Sequence, residues 1–265
     1  MKQQRPASLV WQVKENRPKP IFSGFEESRI RAIYETARKS LLSRSGFNRL
    51  YSGLRPATKD SRGQKKGLLD QDVFLILEHA PVFTLGLRGG KDHLKVPEAF
   101  LASRNIPLVH IERGGDITYH GPGQLVVYPI VNLKTGRWRV ISFVEILEEL
   151  MLLIARDWGI QAERRPLNRG IWVGQNKLGS VGIAVRRSVS FHGLALNVNT
   201  DLEPFQWIDP CGLTGVAVTS LQQLKHREIP LSTVRERART HIRTLFNKDL
   251  EMISLVNLTR ILRPK

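Results

Sequence analysis

Cysteine is almost missing from this chain: Cys211 is the single one among 265 residues. That excludes an internal disulfide framework and any metal site built from several thiolates. Long apolar runs are missing too. Charge interrupts the hydrophobic stretches well before the roughly 18–20 residues needed to span a bilayer, so no membrane segment is expected. The N-terminus, MKQQRPASLVWQVKENRPKP, has no apolar core of a secretory leader. Its basic character faintly suggests a transit sequence, but the prolines and the early LVWQV suit a first strand better. A cytoplasmic protein is expected, with the mitochondrial matrix as the alternative. Zinc-finger and RNP motifs, a Walker A loop, GxGxxG before a helix and a histidine pair at metal spacing are all absent.

Acidic residues are scarce overall, 24 against 41 basic ones, for a net charge of +17. The excess sits at the ends. Residues 1–70 hold 16 basic and 6 acidic side chains and residues 221–265 hold 10 and 4, whereas residues 71–220 hold 15 and 14. Basic flanks around a nearly neutral centre are suited to steering acidic macromolecules by long-range attraction. They also read simply as solvated surface.

What the chain does contain is enough apolar sequence, 41%, for a real core. EESRIRAIYETARKSLLS (26–43) places Ile30, Ile33, Ala37 and Leu41 on one helical face, and 43–67 reads as a long basic loop. DVFLILEHAPVFTLG (72–86) reads as two strands broken at Pro81. PLVHI (107–111) and QLVVYPIVN (124–132) read as two more, with Pro129 predicting an edge or a bulge. Residues 141–160 predict a helix capped by Ser142, with Glu145 three residues on, and ended by Gly159. RGIWVGQNKLGSVGIAV (169–185) predicts a hairpin around Gly-Gln-Asn-Lys, and SFHGLALNVN (190–199) another strand. A last helix is predicted from Thr233, with Glu236 completing a capping box, to about Phe246; His226 and His241 read as surface helix residues. Hairpins mixed with helices, without repeat or linker, imply one α+β domain over residues 1–265 around a central mixed sheet.

Two stretches carry chemistry. In RGGDITYHGPGQLVVYPI (113–130) consecutive glycines let backbone N–H groups approach a ligand, while Arg113, Thr118 and His120 supply side-chain hydrogen bonds. A structural glycine-rich loop is the plainer alternative. In WIDPCGLTG (207–215) Pro210 and Gly212 set Cys211 on a turn, where a thiol is exposed as a nucleophile requires; a small buried hydrophobe is the other reading. Such a thiol needs a cationic or basic neighbour, for which Lys177, His120 and His192 are candidates. Lys177, beside the hairpin turn, reads either as a solvated tip or as a lysine desolvated in a pocket that shares a proton with the thiol.

RGGDITYHGPGQLVVYP resembles the signature of the lipoyl(octanoyl) transferases of the lipoate–protein ligase B type. APVFTLGLRGG (80–90), KLGSVGIAVRRSVSFHGLALNVNTDL (177–202) and PCGLTGVAVTSL (210–221) agree with it in order and spacing. The resemblance covers about residues 72–221. It implies the mixed α/β fold shared with biotin- and lipoate-protein ligases. It implies octanoyl transfer from acyl carrier protein to a lysine of a lipoyl domain, as found in 2-oxoacid dehydrogenase E2 subunits and the glycine cleavage H protein. By the resemblance Cys211 is the acyl-carrying nucleophile and Lys177 the residue that tunes it. The acyl-substrate contacts fall on Arg113, Gly114, Gly115, Asp116, Ile117, Thr118, Tyr119 and His120, on Ser180, Val181 and Gly182, and on Gly193, Leu194 and Ala195. No ATP, metal, nucleic acid or membrane is implied; the octanoyl-phosphopantetheinyl carrier is the donor. The basic 43–67 loop, a C-terminal extension at about 248–265 and the charge of Asp116 depart from the family pattern. The rivals are an ATP-dependent lipoate or biotin ligase, against which the GRGRxxRxW stretch is lacking, a nucleic-acid-binding scaffold, and an amidotransferase between lipoyl domains.

Overall fold

The computed structural model describes residues 8–12, 72–165, 168–209 and 216–253. The expected helix at 26–43, the 43–67 loop, Cys211 and the end of the C-terminal extension lie outside them.

Strand β1 (Ser8–Gln12) lies where LVWQV predicted it, and DVFLILEHAPVFTL divides at Pro81 into β2 (Val73–Leu77) and β3 (Val82–Leu85). Helix α1 (Glu98–Ser103) leads to β4 (Leu108–His110), β5 (Thr118–His120) and β6 (Gln124–Ile130). After the short α2 (Leu133–Gly136) come the long α3 (Val140–Asp157), β7 (Glu163–Arg164) and the hairpin of β8 (Gly170–Val173) and β9 (Asn176–Arg186). Strand β10 (Val189–Asn197), α4 (Leu221–Lys225), α5 (Leu231–Phe246) and β11 (Leu250–Ile253) complete the order.

Among the described residues the strands form two sheets. The larger runs β11-β1-β2-β6-β10-β9-β8-β7, and the smaller β4-β3-β5. Strand β1 is parallel to both neighbours, and β2, β6, β10, β9 and β8 pair antiparallel. The sheet is therefore mixed, as the alternation of hairpins and helices implied.

Period-two alternation assigns the large sheet's faces. Phe74, Ile76, Leu125, Val127, Leu194 and Leu196 all join one buried cluster. On α3, Phe143, Leu147, Leu150, Met151 and Ile154 recur at helical spacing and meet them. Val234, Ala238, Ile242 and Phe246 do the same from α5. Truncating a fully buried leucine such as Leu147 to alanine costs about 2–5 kcal/mol in a core of this kind. A second cluster of Phe83, Leu85, Ile117, Tyr119, Phe205 and Ile208 lies on the small sheet. The glycine-rich stretch runs from β5 directly into β6, so it crosses from one sheet to the other.

Several local expectations are corrected. Helix α3 begins at Val140 after Arg139 and no side chain caps it, so Ser142 sits inside the first turn. Its end is as predicted: Gly159, in the left-handed region, bonds Arg156 O, and Ile160 N bonds Ala155 O. Helix α5 begins at Leu231 behind Pro230, whose restricted φ sets the first turn, and not at a Thr233 cap. Asn199 braces that entry by bonding both backbone groups of Ile229. Strand β6 is central, so Pro129 does not mark an edge. The β10 ladder stops at Val127, His192 beside it takes φ 57°, and Ser190 Oγ bridges Pro129 O and Val131 N instead. No bulge forms either: the Leu194–Val127 pair and the Val189–Asn132 bridge keep one register, so the ladder is interrupted at the proline and resumes unshifted. His226 is exposed at the end of α4, but His241 is half-buried and pairs with Asp157 of α3 at 2.8 Å. Among the described residues no helix is long and apolar enough to cross a membrane.

Candidate functional site

A cleft opens between β9 and β10 of the large sheet and the loop that precedes β5. Small residues make it possible. Gly182 pairs with Gly193 and Ser180 with Ala195, on either side of the Val181–Leu194 pair, so two cross-strand pairs carry almost no side chain where the cleft lies. Gly193 is required in its place: a Cβ there would fall 2.0 Å from Val127 O.

The facing wall is built by the glycine-rich loop. Gly114 N bonds Ile183 O at 2.9 Å, docking the loop on β9. Leu87 N and Arg88 N bond Arg113 O and Gly115 O, at 2.9 and 3.1 Å. This close approach needs Gly86, whose Cβ would sit 2.4 Å from Gly115 O and 2.8 Å from Arg113 O. Arg113 lines the cleft but turns its guanidinium back: Nη2 donates to Thr84 O (2.6 Å) and Oγ1 (2.8 Å), and Nη1 to Gly114 O (3.2 Å). It holds the wall to β3. Asp116 is also committed to structure, since Oδ1 accepts from Ile117 N at 2.6 Å. Its Oδ2 lies 2.6 Å from His93 Nδ1, out of line for a hydrogen bond, so the contact becomes an ion pair when the imidazole is protonated.

Three histidines gather at the cleft. His79 and His120 stand 5.6 Å apart, His79 Nε2 lies 2.7 Å from Tyr128 Oη, and Tyr128 packs edge-on against His192. His79 and His192 keep some contact with solvent, yet the protein atoms around all three disfavour the charged form. Burial pushes His79 down to about 4. Burial, then His79, Arg113 and His192, push His120 to about 3 against the raising effect of its bond to Gln124. Burial, Arg113 and His79 take His192 to about 3. All three are neutral imidazoles at physiological pH. Among the described residues no group of three or more metal-ligating side chains converges on a cation position.

Lys177 is not a solvated tip. The turn narrows to Gly174–Gln175, a bulge falls between Ile171 and Trp172, and Lys177 becomes a strand residue only 3% exposed. Its Nζ donates to Asn168 Oδ1 at 2.7 Å and lies 5.4 Å from the Trp172 ring centre. Lys177 N bonds Ala217 O at 2.8 Å and Thr219 N bonds Lys177 O at 3.0 Å. The described chain just after Cys211 is thus laced to the lysine in a parallel bridge with Val218. Just before Cys211, Asp209 N bonds His93 O at 2.9 Å, beside Asp116.

Of the fourteen residues expected at the substrate, thirteen line the cleft. Tyr119 does not. It packs against Phe83 and Phe205 in the second cluster, and burial, with Asp201, pushes its hydroxyl up to about 12. Lys177 stands outside the lining, and Cys211 lies outside the described residues. Ile111 and Tyr128 line the cleft and were missed as site residues; His192 was considered only as a thiol neighbour. Alternation along QLVVYPI, with Leu125 and Val127 in the core, was the signal that turns Tyr128 to the site.

The lipoyl protein ligase A/B catalytic domain model matches residues 59–243. An octanoyltransferase of Desulfotalea psychrophila is 50% identical over 191 residues, 71% of this chain and 86% of that protein. One of Syntrophobacter fumaroxidans is 44% identical over 191 residues, 72% and 84% of the two chains. Among solved structures, lipoate-protein ligase A bound with ATP superposes with TM-score 0.66 at 15% identity, covering 98% of this chain and 93% of that one. A bipartite lipoate protein ligase of Thermoplasma acidophilum gives 0.64 at 15% identity, covering 97% and 90%. At such identities the superpositions speak for the fold.

Proposed function

The chain belongs to the lipoyl protein ligase A/B catalytic-domain family, and from that premise we propose that it carries an octanoyl group from the phosphopantetheine thioester of acyl carrier protein to the ε-amine of a lipoyl-domain lysine, by way of a Cys211 thioester. It is an acyltransferase, as its octanoyltransferase relatives are. One observation carries the finer reading: Lys177 is buried and hydrogen-bonded on both backbone groups to Ala217 and Thr219, the continuation of the Pro210–Leu221 block that contains Cys211.

In the first half-reaction Lys177 takes the thiol proton and the thiolate adds to the thioester carbonyl. Backbone N–H groups near Cys211 or Gly212 supply the donors that the developing oxyanion needs. The tetrahedral intermediate collapses with loss of the carrier thiolate, which takes the proton back from Lys177. In the second half-reaction the lipoyl-domain amine attacks the Cys211 thioester, Lys177 accepts its surplus proton, and the amide forms as the Cys211 thiolate leaves. One thioester is exchanged for another and then for a more stable amide, so the sequence draws on neither ATP nor metal. The trough of Ser180, Gly182, Gly193 and Ala195 gives an unbranched aliphatic chain a place to lie.

The test is an intact mass after brief exposure to octanoyl-acyl carrier protein without ATP, for wild type and Cys211→Ser side by side. One octanoyl increment on wild type alone is expected. No increment on either, with transfer to a lipoyl domain only when ATP is added, overturns the proposal in favour of an adenylating ligase.

A further inference from the structure

Three buried side chains, His120, Gln124 and Asn197, join the glycine-rich loop to the Thr219 carbonyl in the segment beside Lys177, and their chemistry fixes every proton in the series. Asn197 faces Thr219 O at 3.1 Å. A carbonyl only accepts, so the Asn197 amide nitrogen points there and its Oδ1 turns to Gln124, 2.9 Å away. Gln124 must then present its nitrogen to Asn197, and the same nitrogen lies 3.4 Å from Tyr119 O, a second group that only accepts. Gln124 Oε1 is therefore left for His120, 2.7 Å from Nδ1. A carboxamide oxygen cannot donate, so His120 Nδ1 carries a hydrogen. The imidazole is neutral and has one hydrogen to place.

We infer that the Asn197–Gln124 relay is a positioning device that locks His120 as its Nδ1–H tautomer, so that Nε2 presents a lone pair to the cleft and accepts a hydrogen bond from an N–H of the bound substrate. His120 is among the groups lining the cleft, and among the described residues no side chain donates to its Nε2. Gln124, Asn197 and Thr219 are 2–4% exposed, so water does not compete for the relay. The charged and titratable groups facing the ring are Arg113 from the loop, His79 after β2 and His192 on β10, with Tyr128 on β6 bonded to His79. None is a carboxylate that would charge the imidazole.

The inference rests on the proposed acyl transfer, whose thioester and acyl chain have no donor. Two N–H groups come close to the reacting carbonyl: the amide nearest the sulfur of a pantetheine arm, and the amine of the acceptor lysine. The chemistry is the same, and the two half-reactions separate them.

Heteronuclear NMR of ring-labelled histidine in the wild-type chain reads the tautomer directly, without substrate. His120 with a protonated Nδ1 and bare Nε2 across pH 5–8 is expected; a proton on Nε2 at pH 7 overturns the inference even if octanoyl transfer proceeds normally. Gln124→Glu supplies the functional arm. The carboxylate still accepts from Nδ1 but favours the imidazolium, and each pH unit below the new midpoint leaves about one tenth of the rings with a bare Nε2. Single-turnover acylation by octanoyl-pantetheine, and transfer to a lysine peptide, are each followed from pH 8 to pH 5. A roughly tenfold fall per pH unit, confined to Gln124→Glu, is expected in one of them. If acylation responds only when the thioester carries its amide, the pantetheine arm is the donor; if only transfer responds, it is the lysine. If neither responds while NMR shows the ring charged, His120 accepts nothing from substrate. Should Gln124→Glu not fold, the wild-type tautomer decides alone. Absence of any transfer by wild type would instead remove the proposed function and leave the tautomer measurement standing.

Discussion

Lys177 and Asn168 meet in a 2.7 Å hydrogen bond, Nζ to Oδ1, at the entry to β8. The amide oxygen orients the amine without adding charge. Asn168→Asp keeps the shape and places a carboxylate against the amine, which favours the ammonium form. If Lys177 takes the thiol proton, acylation by octanoyl-acyl carrier protein is expected to fall about tenfold at pH 7 and to recover as pH rises. Rapid-quench acylation at pH 7 and 9 checks this; an equal loss at both values points to simple misplacement of the lysine.

Gly86→Ala is expected to act on the site out of proportion to its size. Its Cβ would collide with the Gly115 and Arg113 carbonyls, which are backbone and cannot step aside. The wall of the cleft must move, at about 1–3 kcal/mol of stability. Gly174→Asn is the control. It lies in the β8–β9 turn at φ 55° with open space around it, and asparagine tolerates that conformation. Denaturant midpoints and kcat/KM are expected to fall together for Gly86→Ala and to stay near wild type for Gly174→Asn.

Much of this was legible in the residues. Pro81 divided β2 from β3, Gly159 closed α3, and the alternation of GLALN put Leu194 and Leu196 in the core. What misled were signals that local sequence shares with other outcomes. Ser142 and Thr233 have capping chemistry, but both helices start earlier because Arg139 and Pro230 already hold the extended entry. Lys177 beside a turn looks like a solvated tip until the Ile171–Trp172 bulge and the Ala217–Thr219 segment bury it. Both causes are pairings between distant segments, which no window of sequence contains. Tyr119 shares a three-residue strand with His120 and faces the other way, a matter of register that a motif does not show.

The three neutral histidines make stability pH-dependent. An unfolded histidine titrates near 6.5, whereas His79 titrates at about 4 and His120 and His192 at about 3. Below pH 6.5 the unfolded chain binds protons that the folded chain refuses, so stability is full above that value and is lost as pH falls towards 4 and 3. Each such proton contributes a slope of about 1.4 kcal/mol per pH unit. Urea unfolding between pH 7 and 5 is expected to show this slope. His79→Gln, which keeps a partner for Tyr128, should reduce it by about one proton.

The basic flanks carry the last expectation. Residues 1–70 and 221–265 hold most of the net charge, and residues 71–220, with the cleft, are close to neutral. If the flanks steer acidic protein substrates, raising ionic strength from about 50 to 300 mM shortens the reach of that field to well under 10 Å and slows encounter. The kcat/KM for octanoyl-acyl carrier protein is then expected to drop several-fold, while that for free octanoyl-pantetheine, which lacks the acidic protein, changes little. Equal responses of both donors would mean that salt acts on the cleft itself, and the flanks would be left as solvated surface.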